Sequence, residues 1–300
     1  MKNKQATVKF NIPDPSSRRT RKRHLRRNTR PFSLFVTLLL FFTITFSSLK
    51  FLTQNTVAFQ PDEFVTTWDI THSNDQIGIN FRHGNNNFSI DWGDGTPQST
   101  YTQSGHIYHT YANKGHYQVK IKGTFASIFF NNDSHDLYYA KKLLEINQWG
   151  NNKFKDTSSM FYGAENVIGT YIDSPDTSEV TTMENMFYGA TKFNSPVNFD
   201  TRNVTNMKFM FYNTEKFNQP VNFNTENVTD MQYMFSGAKK FNQSLASFNT
   251  SNVTNMECMF QDAADFNSSL ASFNTEKVTN MSSMFYQAKS FNQPVNHFNT

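Results

Sequence analysis

The chain repeats itself every 24–26 residues from Met160 onward, and few folds accommodate such a pattern. The pair Met-Phe stands at Met160-Phe161, Met186-Phe187, Met210-Phe211, Met234-Phe235, Met259-Phe260 and Met284-Phe285. Phe-Asn follows at Phe193, Phe217, Phe241, Phe266 and Phe291, always six residues after the Phe of the pair. Val-Thr precedes it at Val180, Val204, Val228, Val253 and Val278, always seven before. A fixed period in this range is the signature of a repeat array, in which no unit buries its apolar face alone and neighbours must stack.

Within one unit Val228, Met231, Met234, Phe235 and Ala238 lie at offsets 0, 3, 6, 7 and 10, which predicts one face of a short helix. Thr225 and Asn227 suit its start and Gly237 its end. The stretch that follows, with Phe241, Leu245 and Phe248 apolar, is too short for a second helix and reads as a strand-like arc with a turn. The expected fold is therefore a repeat solenoid of about six coils over residues 124–300, a short strand plus a short helix in each. The last coil is read as incomplete, since Phe298-Asn299-Thr300 is where earlier units run on into Val-Thr. An open last coil would offer a surface for self-association.

The recurring Asn194, Asn218, Asn242, Asn267 and Asn292 are assigned to architecture, each bonding the backbone of the adjacent coil. Asn-x-Thr triplets such as Asn203-Val204-Thr205 are weak glycosylation signals, because the repeat generates them. Ligand contacts are expected instead at exposed positions that vary between coils, such as Gln232, Tyr233, Glu257 and Ser283. The partners implied are protein or cell-surface ligands.

The unit Phe217–Lys240 resembles the repeats of BspA-type leucine-rich-repeat surface proteins, in their Met-Phe-rich bacterial variant. Leu143–Phe154, with Gln148-Trp149-Gly150, resembles the segment that opens such arrays. The resemblance implies a leucine-rich-repeat-like exported solenoid with, for some members, a role in adhesion, and it brings no catalytic residues. The first coil departs from the pattern, with Val167 in place of the Phe of Phe-Asn and Phe154 in place of the Val.

Residues 59–123 read as a small β-sandwich preceding the repeats. Phe88 and Ile90 alternate before an Asp94-Gly95 turn, and Tyr117, Val119 and Ile121 alternate on a later strand. Trp92-Gly93-Asp94-Gly95, then His109-Thr110-Tyr111 and Gly115-x-Tyr117-x-Val119, is similar to PKD-like domains, which implies an extracellular spacer or binding module. Asp91 and Asp94 admit a calcium reading, but a tight turn accounts for both without one. Six histidines lie between His72 and His135, and His106 and His109 have ligand-like spacing, without a zinc pattern around them.

Eleven of the chain's 28 cations and one of its 24 acids fall in residues 1–30, so the remainder holds 17 cations against 23 acids. An acidic body is a poor phosphate binder, which excludes nucleic acid. Phe32 to Leu49 is free of charge for 18 residues, so residues 1–58 read as a basic leader. Either a cleaved signal peptide or a signal anchor held in the membrane by residues 32–52 satisfies it, and both place the rest outside. The lone Cys258 excludes an internal disulfide, a cysteine zinc site and a lipid anchor just after the leader. With no phosphate loop, HExxH or nucleophile elbow, neither enzyme activity nor a metal or cofactor is expected. The expectation is a bacterial cell-surface or extracellular protein that binds or adheres through its repeats; the alternative is a structural or self-assembling envelope component.

Overall fold

The computed structural model describes residues 59–82, 84–130 and 137–299; the leader, with its charge-free run, lies outside them. Among the described residues no helix is long and apolar enough to cross a membrane.

Among the described residues nine strands form, all before the second repeat unit: β1 (Glu63–Ile70), β2 (Asp75–Phe81), β3 (Asn87–Asp91), β4 (Ser99–Tyr101), β5 (Gly105–Tyr111), β6 (Gly115–Thr124), β7 (Ile128–Phe129), β8 (Leu143–Gln148) and β9 (Ile168–Gly169). They make a six-stranded sheet ordered β4-β3-β6-β1-β8-β9 and a three-stranded sheet ordered β5-β2-β7. Alternation explains β1 and β6: Phe64, Thr66, Trp68 and Ile70 turn inward, as do Val119 and Ile121 opposite them. Pairing does not stop at residue 123. β8 adds antiparallel to β1, and β9, from inside the first repeat unit, adds parallel to β8.

Gln148-Trp149-Gly150 is the joint. Trp149 is fully buried, with its ring 5.8 Å from both Phe64 and Phe161 and 5.9 Å from Phe199. Gly150 sits at φ +68°, and a Cβ there would lie 2.5 Å from the Glu63 carbonyl oxygen, so only glycine fits. One apolar core consequently runs without interruption from Phe64 to Met284. At the first unit Phe154 and Val167 occupy the positions of the missing Val and Phe, and both are fully buried.

The leucine-rich-repeat-like solenoid, with a short helix and a short strand per coil, is not what forms. The described residues contain no α-helix, and beyond β9 no strand, only isolated parallel bridges: Lys153 with Asp176, and a series from unit to unit along Thr182, Asn206, Asp230, Asn255 and Asn280. The expected helix Val228–Ala238 is a run of turns whose N–H groups leave in two directions. Those of Met234, Ser236 and Ala238 bond three residues back, at 3.1, 3.2 and 3.1 Å. Those of Met231, Tyr233, Phe235 and Gly237 bond the next unit at Asn255, Glu257, Met259 and Gln261, at 3.0, 2.8, 2.9 and 2.7 Å. An α-helix keeps its N–H groups within the segment, four residues back, so this alternation excludes it. The route demands left-handed residues at Tyr233 (φ +56°) and Gly237 (φ +70°), where a helix would need right-handed ones. The apolar offsets were nonetheless correct for burial: Val228, Met231, Met234, Phe235 and Ala238 are all fully buried.

Successive units stack in register. The rings of Phe187, Phe211, Phe235, Phe260 and Phe285 lie 5.6–5.9 Å apart and within 4° of parallel. A second file through Phe193, Phe217, Phe241, Phe266 and Phe291 runs beside it at 5.8–6.1 Å. The arcs between turn runs are joined mainly by side chains. Asn194, Asn218, Asn242 and Asn267 each accept the N–H of the equivalent Asn one unit on, at 2.8–3.0 Å.

A buried threonine file does the same. The Thr225 hydroxyl donates to the Asn249 carbonyl at 2.9 Å and accepts the Asn249 N–H at 2.8 Å. Thr225→Val keeps the shape but orphans both groups, so urea unfolding should show a loss of about 2 kcal/mol, with Thr225→Ser close to the parent. An unchanged midpoint in the valine variant would mean that the ladder contributes nothing.

Candidate binding surface

The turn runs line up along the stack and present one face, built from equivalent positions of each unit. Its first column reads Ser159, Asn185, Phe209, Tyr233, Cys258 and Ser283. Each of these residues is left-handed, at φ +52° to +58°. That conformation is required by the hydrogen-bond route and not by side-chain type, so the column is free to vary. Immediately before it stand Ser158, Glu184, Lys208, Gln232, Glu257 and Ser282, and three residues after it Tyr162, Tyr188, Tyr212, Ser236, Gln261 and Tyr286.

The structure brings three of the four sequence-derived candidates together. The Gln232 side-chain amide donates to the Glu257 carboxylate, which also accepts from Asn280 at 3.0 Å. The Tyr233 N–H bonds the Glu257 carbonyl, and its ring stacks on Phe209 at 4.7 Å. A hydrogen bond with the Cys258 thiol, with partial burial and the nearby Glu257 carboxylate, pushes the Tyr233 phenol up to about 12. Ser283 lies apart from this group, two units beyond Tyr233 in the same column with buried Cys258 between them, and is exposed.

Sequence reasoning missed the aromatic file beside them. Tyr162, Tyr188 and Tyr212 stack at 4.5 Å, closer than the steps between units along the core files, and Tyr212 meets Tyr233 edge-on at 6.0 Å. Burial and the flanking Tyr162 and Tyr212 phenols push the Tyr188 phenol up to about 12, so it remains a neutral hydroxyl at neutral pH. The Lys208 ammonium lies 5.3 Å from the centre of the Phe209 ring. The signal was available: Met-Phe-Tyr recurs at 160–162, 186–188, 210–212 and 284–286.

A family model described as "Mycoplasma protein of unknown function, DUF285" matches residues 127–223 and again 221–300, more than half of the chain. The chain belongs to this family. No curated protein and no solved structure matches it. The DUF285 match therefore begins at β7 and takes in β8, β9 and every turn run of the variable face.

The candidate carboxylates Asp91 and Asp94 and the candidate histidine His109 are engaged within the segment ahead of the DUF285 region. Asp91 accepts the Gly93 N–H at 2.9 Å, and one Asp94 oxygen accepts the Thr96 N–H and hydroxyl at 3.0 and 2.7 Å. The other Asp94 oxygen bonds His109 Nε2 at 2.8 Å, and the His109 ring lies flat on Trp92 at 4.7 Å. His106 and His109 are three residues apart on β5, so they leave opposite faces of the strand. Among the described residues no three His, Cys, Asp or Glu side chains come together to hold a metal ion.

Burial alone would raise the Asp94 carboxyl; hydrogen bonds from Thr96 and His109 outweigh it and hold the group below its ordinary value. A depressed folded value stabilises the fold above the unfolded value, and that contribution is lost as pH falls through the folded one. Thermal unfolding should thus lose more between about pH 5 and about pH 3 in the parent than in Asp94→Asn. Equal losses would show that the turn bonds do not favour the ionised form.

Proposed function

We propose that the chain is an exported surface protein whose repeat region binds protein or cell-surface ligands through its turn face. The observation that carries this reading is the contrast within each unit. The core positions keep Met, Phe and Val, while the turn column beside them changes from Asn185 to Phe209, Tyr233 and Ser283 on the same backbone. Side chains free to vary on a rigid frame are what a recognition surface needs. Tyrosine supplies large, amphipathic contact area with little entropy to lose, and here the rings are already held by stacking. The basic leader and charge-free run support export, and the resemblance to BspA-type surface proteins supports adhesion.

The test is binding of the purified protein to immobilised extracellular-matrix proteins and to whole cells. Saturable binding is expected, with at least a tenfold loss in Tyr212→Ala/Tyr233→Ala if two contact residues are removed at about 1 kcal/mol each. Saturable binding that survives the double substitution would move the interaction off this face. No binding to any surface would count against adhesion itself.

A further inference from the structure

We draw no further inference here: the strongest candidate, the surface file of Tyr162, Tyr188 and Tyr212 with Phe209 and Tyr233 beside it on the turn face of the repeat region, belongs to the binding surface already described, and nothing in the structure shows what covers it.

Discussion

Lys142→Ala is expected to cost the fold about 3–5 kcal/mol, among the largest effects of any single substitution in the chain. Lys142 and Asp75 form an ion pair whose side chains are only 7% and 1% exposed. The ammonium also donates to the Gln76 carbonyl at 2.8 Å and lies 3.7 Å from the centre of the Tyr138 ring. The carboxylate takes further hydrogen bonds from the Tyr138 hydroxyl at 2.9 Å and the Gln76 N–H at 2.8 Å. Removing the ammonium leaves a buried carboxylate without its counter-charge, and that desolvated charge is the source of the cost. Lys142→Met/Asp75→Asn should recover most of the loss, because the asparagine keeps an acceptor for Tyr138 and Gln76 without carrying a charge.

The pair also sets an acid limit. Burial raises the Asp75 carboxyl, but hydrogen bonds from Lys142, Tyr138 and Gln76 and the Lys142 charge outweigh it and hold the group down at about 2. Its contribution is present in full above the unfolded value, near 4, and is lost progressively as pH falls from there through about 2. Urea unfolding at pH 7 and at about pH 3 should therefore show Lys142→Ala below the parent at both. A variant within about 1 kcal/mol of the parent at neutral pH would mean that water reaches the carboxylate and the pair is not buried in solution.

Burial in the repeats was legible in the sequence, and backbone path was not. Offsets of three residues mark one face of a helix, but they equally mark chained three-residue turns, as Val228, Met231 and Met234 show by being buried without a helix. What separates the two is where alternate N–H groups go, and in this chain they go to the next unit, 23–25 residues away. Local periodicity carries no information about that. The left-handed positions were hidden for a related reason. Gly163, Gly189 and Gly237 advertise one of them, but Asn213, Asp262 and Gln287 occupy the same place in other units, and Phe209 and Tyr233 give no hint at the second.

Two strands of the first part, β3 and β6, were readable because Phe88 and Ile90, and Val119 and Ile121, alternate. Leu143–Phe154, which holds β8, goes with the repeats by its resemblance to the segment that opens such arrays, and strand pairing, unlike alternation, is a property of distant segments. At the candidate surface, variation between units picked out Gln232, Tyr233 and Glu257, which the fold places in contact. The tyrosine file escaped because three of its members are alike, and a search for variation passes over a position where repetition itself builds the surface.

The stacking of units, as distinct from burial within each, is tested by comparing Phe211→Ala with Phe285→Ala. The two residues hold equivalent positions. Phe211 is fully buried, with Phe187 and Phe235 both at 5.6 Å and nearly parallel, and Phe217 at 4.1 Å. Phe285 is only partly buried, with Phe260 at 5.9 Å on one side and Phe291 at 4.0 Å. Truncating a fully buried phenylalanine costs about 3–5 kcal/mol, because the cavity adds to the lost transfer energy. At Phe285 the ring is only partly buried and stacks along the file on Phe260 alone among the described residues, so about a third of that is expected. When each unit touches only its neighbours, stability is a sum of unit and interface terms, and a central cavity weakens two interfaces where a peripheral one weakens a single interface. Phe211→Ala should also broaden the urea transition, as the units on either side lose their coupling, whereas Phe285→Ala should shift the midpoint slightly and leave the slope alone. Equal costs at the two sites would mean that each ring is held by its own unit, and that the register of the aromatic files contributes nothing to the fold.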